Sequence, residues 1–184
     1  GGVKLPAVRA ASSAPVSGGM FESTPRSAVR ELGKPEGEDA ETAAKNRMGG
    51  LELNIFRVLM NHPKLARRWT VFAGHVLQKQ TLGVRDRELL ILRIGWLNQS
   101  EYEWAQHVEI AKRSGIGDDE IEQVKTGPKA GWSTHEAALL PAADDLCERS
   151  IVSDATSDTL SAAYTTEQMR DMCCTVGEYD RRSW

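Results

Sequence analysis

The sequence predicts an all-α fold, a helical bundle built on one central helical hairpin. Apolar residues recur at helical spacing through most of the chain after residue 51. No segment alternates apolar and polar residues over the length of a strand. The densest apolar pattern is RDRELLILRIGWLNQSEYEWAQHVEIAKRSG, residues 85–115. Both helices of the hairpin are expected within this stretch.

The first hairpin helix is predicted to begin near Asp86 and to end at Asn98 and Gln99. Its apolar residues are spaced to form one wide stripe, which indicates a buried helix. The stripe consists of Leu89, Leu90, Leu92, Trp96 and Leu97.

The second hairpin helix is predicted to begin after Ser100 and to stop at Gly115. Ser100 followed three residues later by Glu103 is typical of a capping box at a helix N-terminus. A glycine directly after the periodic segment is typical of a helix C-terminus. The apolar face of this helix is formed by Trp104, Val108 and Ala111.

Similar signals predict further helices on both sides of the hairpin. Each begins at a capping residue or a proline and carries apolar residues at helical spacing. A short helix is expected over residues 54–60 and a longer one over residues 63–79. The later helices are expected to begin at Gly117, Ser133, Asp154 and Thr165. Glu136 and Gln168 complete capping-box signatures with Ser133 and Thr165.

The 184 residues suit one domain with an additional arm. Residues 1–50 are rich in Ser, Ala, Pro, Gly and charged residues, with few apolar residues at any period. This composition predicts a poorly ordered N-terminal arm with one short helix near residues 27–32. Residues 51–184 are predicted to form the helical domain, which ends in a short C-terminal helix.

Composition excludes several classes of partner. The formal net charge of -3 offers no basic surface for nucleic acid. No apolar run approaches the roughly 20 residues that a membrane helix needs. The three cysteines, Cys147, Cys173 and Cys174, show neither CxxC nor metal-ligand spacing. We therefore expect a soluble, cytoplasmic protein that binds no nucleic acid, membrane or metal.

Three residues of the hairpin form a candidate catalytic site. Glu103 and His107 are four residues apart, so their side chains share one face of the second helix. A short antiparallel hairpin would fold Glu88 of the first helix back toward them. An imidazole between carboxylates can transfer protons near neutral pH. Glu88, Glu103 and His107 are therefore the candidate catalytic residues.

Each of these residues also has a purely structural interpretation. A capping box of Ser100 and Glu103 would stabilise the helix by about 1 kcal/mol without any substrate. His107 could lie on the surface of an amphipathic helix. Glu88 would interact favourably with the N-terminal end of the helix dipole.

Four further residues are candidates for substrate binding: Arg87, Ser100, Trp96 and Trp104. Arg87 is the first choice among the arginines of this segment for holding a carboxylate, although it is equally placed to pair with Glu88. The two tryptophans would wall an apolar pocket or form part of the ordinary core.

The hairpin RELLILR followed by SEYEWAQHVEIAKRSG resembles the carboxymuconolactone decarboxylase family and its alkylhydroperoxidase D-like relatives. Weaker similarity extends from about Leu53 through GDDEIEQV to TVGEY. The alkylhydroperoxidase branch has a Glu, then a CxxC pair, then a His four residues after the second Cys. In this sequence the Glu and His are Glu88 and His107, whereas Ser100 and Glu103 occupy the Cys positions.

The missing CxxC pair decides which activity the resemblance implies. Peroxide reduction by a dithiol needs an attacking thiolate and a second thiol that resolves the sulfenic acid. The resemblance therefore favours the decarboxylase branch, a lyase that needs no cofactor and acts by acid–base chemistry on a small unsaturated or lactone carboxylic acid. It also implies a homo-oligomer, a trimer or hexamer, with sites near subunit contacts.

Two alternatives stay open at the level of sequence. The first is peroxiredoxin-type antioxidant activity that uses Cys147, Cys173 or Cys174 outside the motif. The second is a non-catalytic helical oligomer that binds a small ligand.

Overall fold

The computed structural model describes residues 55, 59, 61–128 and 131–180. Within these residues the secondary structure is entirely helical, as predicted, with seven α-helices and one π-helix. The predicted arm over residues 1–50 and its short helix lie outside the described residues. So does the helix over 54–60, apart from two of its positions.

The helices follow one another with short connections. They are α1 (Pro63–Gly74), a π-helix (His75–Lys79), α2 (Val84–Leu97), α3 (Glu101–Arg113), α4 (Asp118–Thr126), α5 (Glu136–Arg149), α6 (Asp154–Ser161) and α7 (Thr166–Tyr179). No helix in this part of the chain is long and apolar enough to cross a bilayer.

The hairpin forms from α2 and α3 where the sequence predicts it. α2 begins two residues before the predicted Asp86, and Asn98 is its C-cap. Gln99 then adopts a φ of 53°, in the left-handed region, before α3 begins. At the end of α3, Gly115 has a φ of 84°, the conformation for which a glycine is favoured after a helix.

The predicted capping boxes have different outcomes. At Ser133 the N–H donates to Glu136 Oε2 at 3.1 Å, but α5 begins only at Glu136, with His135 as its N-cap. At the start of α7 the Thr165 N–H donates to Gln168 Oε1 at 2.9 Å, and the Gln168 N–H donates to Thr165 Oγ1 at 3.2 Å. Ser100 occupies the N-cap position of α3, but its side chain makes no capping hydrogen bond. The predicted box of Ser100 and Glu103 is therefore wrong, and the Glu103 carboxyl lies instead toward His107.

The segment predicted as one helix over residues 63–79 changes type before it ends. Pro63 opens α1 as predicted, and the His62 side chain accepts a hydrogen bond from the Leu65 N–H. After Gly74 the chain continues as a π-helix, in which the Gln80 N–H donates to the His75 carbonyl at 2.9 Å. The prediction of an uninterrupted α-helix is therefore wrong in its last turn.

α2 is the central helix of the bundle, in contact with α3, α4, α5 and α7. Its consecutive residues 88–95 are all buried, so apolar side chains surround it rather than lining one stripe. Leu90 and Ile94 pack toward α5, α6 and α7, whereas Leu89 and Leu92 pack toward α3, α4 and α5. Full burial of each such side chain is worth roughly 1.5–3 kcal/mol. This packing holds α2 rigidly and with it the residues of its first turns.

Candidate active site

Glu88 of α2 and His107 of α3 are in direct contact inside the hairpin. His107 Nδ1 lies 2.7 Å from Glu88 Oε2, and both side chains are buried. Because a carboxylate oxygen can only accept a hydrogen bond, Nδ1 carries a hydrogen and donates a hydrogen bond to Glu88. Nε2 is then the ring nitrogen that is left to exchange a proton with other groups.

Arg87 holds the other oxygen of Glu88. Its Nε and Nη2 atoms both lie 2.8 Å from Glu88 Oε1. Its Nη1 atom donates to the Leu77 carbonyl in the π-helix. Both oxygens of Glu88 therefore accept hydrogen bonds. These bonds fix the position of the carboxylate that orients His107. Arg87, the first choice for substrate binding in the sequence, is engaged by the protein's own groups.

Glu103 lies on the side of His107 that faces away from Glu88. Its Oε2 atom is 3.9 Å from His107 Nε2, close enough for an ion pair but too far for a hydrogen bond. Burial raises the pKa of Glu103, and the neighbouring His107 partly offsets that effect. The Glu103 carboxyl is therefore more readily protonated than an exposed glutamate.

Tyr179 of α7 completes this cluster, and it was not among the candidate site residues predicted from the sequence. Its ring centroid lies 5.0 Å from that of His107, at an interplanar angle of 89°. Burial raises the pKa of Tyr179 well above its ordinary value, and the carboxylates of Glu103 and Glu88 raise it further. Helical periodicity places Tyr179 near the end of the last helix but cannot say which residue of α3 it meets.

Trp96 and Trp104, candidates for the wall of a pocket, pack against each other. Their ring centroids lie 5.8 Å apart at an interplanar angle of 60°. Lys125 Nζ lies 5.2 Å from the centroid of each ring, within the range of a cation–π interaction. This contact joins the turn end of the hairpin to the end of α4. Ser100 lies in the same turn, at the N-cap of α3.

Arg93, another arginine of the predicted hairpin, joins three helices. Its guanidinium donates to both oxygens of Asp144, at 2.6 and 3.0 Å, and to the carbonyls of Val124 and Lys125. Gly127 lies beside it with a φ of 84°, and a Cβ there would come within 3.1 Å of Arg93 Nη2. These contacts explain why Arg93 is buried at this position, and they require no role in substrate binding.

A second polar cluster lies at the starts of α2 and α5. Asp86, His135 and Glu136 place three potential metal-ligand atoms within 4.8 Å of one another. Asp86 is far from the other two residues in the sequence, so this cluster could not be predicted from spacing. Asp86 accepts hydrogen bonds from Tyr164 at 2.6 Å and His135 at 3.2 Å, and Arg85 donates to Glu136 at 2.7 Å. Because Arg85, Tyr164 and His135 already bond both carboxylates, we interpret the cluster as a structural link between helices.

The cysteines lie on other helices than the Glu88–His107 pair. Cys147 belongs to α5, and Cys173 and Cys174 belong to α7. Partial burial raises the pKa of the Cys173 thiol, and the neighbouring Cys174 adds to this effect more than Arg170 offsets it. A raised pKa lowers the fraction of thiolate available to attack a peroxide.

An open surface groove of about 500 Å³ lies at the start of α1, away from the residues of the candidate site. It is lined by Asn61, His62, Pro63, Lys64 and Arg67. The chemistry-bearing cluster and this groove are therefore separate features of the molecule.

The all-α bundle has an alkylhydroperoxidase D-like fold, which it shares with solved structures. Residues 63–145 match the model of the Carboxymuconolactone decarboxylase family, and this segment contains Glu88, Glu103 and His107. This match confirms, over residues 63–145, the resemblance seen in the sequence. Tyr179 lies outside the matched segment. No curated protein sequence matches the chain.

Solved structures share the fold at low sequence identity. A peroxidase-related protein from Silicibacter sp. TM1040 matches with a TM-score of 0.70 and 12% identity, over 82% of this chain and 83% of that one. An alkylhydroperoxidase AhpD core protein, described as peroxidase-related, from Ralstonia eutropha JMP134 matches with a TM-score of 0.66 and 20% identity, over 77% of each chain. A protein of unknown function from Agrobacterium tumefaciens, described as a candidate AhpD antioxidant defence protein, matches with a TM-score of 0.60 and 20% identity, over 66% of this chain and 85% of that one.

Proposed function

We propose that the chain is a cofactor-independent enzyme of the carboxymuconolactone decarboxylase type, a lyase that acts on a small unsaturated or lactone carboxylic acid. One observation carries this proposal: His107 Nδ1 donates to the buried Glu88 at 2.7 Å, so that Nε2 is oriented as a proton donor and acceptor. The family match over residues 63–145 supports the same assignment.

The proposed reaction consumes one proton and needs no redox cofactor. The bond between the substrate carbon and its carboxylate breaks, carbon dioxide leaves, and the electron pair is delocalised into the conjugated system of the substrate. Protonated His107 then donates the Nε2 proton to that carbon. Glu88 stabilises the imidazolium before transfer and keeps the ring oriented throughout.

Glu103 restores the proton to His107 in this scheme. Its carboxyl faces Nε2 at 3.9 Å, and burial raises the pKa of Glu103. Glu88, by contrast, is held by Arg87 and by His107. Two carboxyl groups in such different environments suit two roles, one as a fixed orienting charge and the other as a proton carrier.

Arg87 acts in this proposal by positioning Glu88, because Glu88 and the Leu77 carbonyl engage its guanidinium. Trp96, Trp104 and Ser100 are proposed to contact the apolar part of the substrate at the turn end of the hairpin. Peroxide reduction has less support, because serine and glutamate occupy the CxxC positions and partial burial raises the pKa of Cys173.

Turnover of a panel of small lactone and unsaturated carboxylic acids tests the proposal. Carbon dioxide release and the proton NMR spectrum of the product would be measured with the full chain. We expect His107→Ala to lower turnover about 10²–10⁴-fold, the usual contribution of a positioned acid–base group. His62→Asn is the matched control, because His62 is exposed at the N-cap of α1 and asparagine also caps helices. Unchanged turnover in His107→Ala would contradict the proposal that His107 is the acid–base group. Absence of turnover in the wild-type protein would favour ligand binding without catalysis.

We further propose that the chain is cytoplasmic and self-associates, as a trimer or hexamer. Support for self-association comes from α1, whose buried residues are only Ala66 and Ala73, whereas Leu65, Val71 and Phe72 are exposed among the described residues. Exposed apolar side chains grouped on one helix are typical of an interaction surface.

A further inference from the structure

Tyr179 covers the imidazole of His107 from the last helix of the bundle. The two ring centroids lie 5.0 Å apart and the ring planes are nearly perpendicular, the edge-to-face arrangement that aromatic pairs favour. Only 5% of the His107 side chain is exposed. Glu88 fixes the imidazole at Nδ1 through one hydrogen bond, whereas Tyr179 contacts the ring itself.

The end of α7 that carries Tyr179 is tied to the hairpin turn. Asn98 Nδ2 donates to the Tyr179 carbonyl at 3.4 Å and to Asp180 Oδ1 at 3.2 Å. Asn98 is also the C-cap of α2, the helix that carries Glu88. The contact between Tyr179 and His107 is therefore set by the same turn that joins the two catalytic helices.

We propose that Tyr179 is a positioning residue of the active site, whose ring holds the His107 imidazole against Glu88 and shields it from water. The naming of His107 as the acid–base group rests on the proposed function, but the role of Tyr179 toward that imidazole does not. Tyr179 restrains the ring by direct contact, in addition to the hydrogen bond from Nδ1 to Glu88.

The charge state of Tyr179 suits this role. Burial raises the pKa of its phenol well above the ordinary value, and Glu103, Glu88 and Glu178 raise it further against the opposing effect of Arg87. The phenol therefore stays neutral across the range in which an imidazole titrates. A neutral ring can contact both protonation states of His107 without competing for its proton.

A second tyrosine–histidine pair in the molecule provides a matched control. Tyr164 and His135 also meet edge-to-face, with centroids 6.2 Å apart, but 39% of the His135 side chain is exposed. Removing the Tyr164 side chain removes a similar ring contact at a different site, together with its hydrogen bond to Asp86. Any general loosening of the fold would then be distinguished from a local effect on His107.

The test measures how fast diethyl pyrocarbonate modifies each of the four histidines in the full chain, by mass spectrometry of peptides. We expect Tyr179→Leu to raise the rate at His107 about two- to tenfold, which corresponds to the loss of one aromatic pair. Tyr179→Phe keeps the ring and should keep the wild-type rate. Asn98→Ala, which frees the end of α7, should raise the rate at His107 in the same direction. Tyr164→Leu should leave His107 unchanged.

Nitrogen NMR of the imidazoles supplies a readout that a purely structural role would not change. In Tyr179→Leu, the His107 signals should move from those of a single Nδ1–H tautomer toward the averaged signals of an exposed histidine. Unchanged His107 reactivity and signals would overturn the inference, and so would an equal rise at His135. Neither measurement depends on turnover, so failure here is distinct from failure of the decarboxylase proposal.

Discussion

His107 Nδ1 and Glu88 Oε2 lie 2.7 Å apart although 19 positions separate the two residues in the chain. Each residue comes from a different helix of the hairpin, and neither helix could place the pair without the other. The hydrogen bond is therefore both a part of the candidate site and a contact that holds the hairpin closed.

Glu88→Gln should destabilise the protein because it removes the charge that Arg87 and His107 share. Hydrogen bonds to charged groups contribute about 1.5–3 kcal/mol each, and the Arg87 guanidinium would lose its buried counter-ion. We expect a loss of roughly 2–4 kcal/mol in the free energy of unfolding, measured by urea denaturation. Glu122→Gln is the control, because the Glu122 side chain is 67% exposed and its ion pair with Lys125 should contribute less than about 1 kcal/mol. Equal losses in the two variants would contradict this prediction.

Glu103→Gln should stabilise the protein at neutral pH. Because burial raises the pKa of Glu103 above its ordinary value of 4.5, the folded state binds the proton more tightly than the unfolded state. The wild-type protein therefore loses stability as the pH rises from 4.5 through the raised pKa, and glutamine avoids that loss. Urea denaturation over a pH series should show a gain at neutral pH that vanishes below the ordinary pKa. A constant difference across the series would disprove the linkage.

Asp171→Asn should show the opposite pH dependence. Burial alone would raise the pKa of Asp171, but hydrogen bonds from Thr81 and His75 outweigh it and hold the pKa below the ordinary 3.8. Thr81 N and Oγ1 lie 2.7 and 2.8 Å from Asp171 Oδ2, and His75 Nε2 lies 2.8 Å from Oδ1. We expect a loss of about 1.5–3 kcal/mol at neutral pH.

The stability contributed by the Asp171 carboxylate is present above pH 3.8 and is lost as the pH falls through its lowered pKa. The difference between wild type and Asp171→Asn should therefore shrink in acid. Asp158→Asn, an exposed position on α6, should have little effect at any pH. If both variants behave alike, the carboxylate of Asp171 does not carry this contribution.

Self-association should be visible by light scattering of the full chain at micromolar concentration. A trimer or hexamer would scatter as three or six copies of the 20.3 kDa chain. Val71→Asp, at a side chain that is 77% exposed, should shift the distribution toward smaller species, because a charge opposes burial in an apolar interface. Lys64→Asp, at an exposed polar position of α1, is the control. A monomer in the wild-type protein would refute self-association.

The sequence predicts the parts of this fold that depend on local periodicity and capping. The α2–α3 hairpin, the start of α1 at Pro63 and the capping box of Thr165 and Gln168 all form as predicted. These features involve residues within a few positions of one another, so their physical cause is visible in a short window. The proximity of Glu88 and His107 also follows from a short turn between two helices.

Features that depend on packing between distant helices could not be predicted in this way. Periodicity gives the apolar face of α7 but not the residue that Tyr179 covers. It likewise gives no register between α2 and α5, which brings Asp86 and His135 together. The capping box expected at Ser100 fails because the Glu103 carboxyl lies toward His107 rather than back toward the N-cap. Tertiary contacts here override a local preference.

The five-residue π-helix at His75–Lys79 has a consequence for how the chain tolerates changes in length. A π-turn accommodates one more residue than an α-turn, and each residue advances a helix by about 100°. Deletion of a single residue here would let the segment close as an ordinary α-turn and rotate α1 by about that angle relative to α2. Leu77 would then move away from Arg87, and the exposed apolar side chains of α1 would face another direction. The number of residues in this segment, more than their identity, therefore sets the phase between α1 and the α2–α3 hairpin.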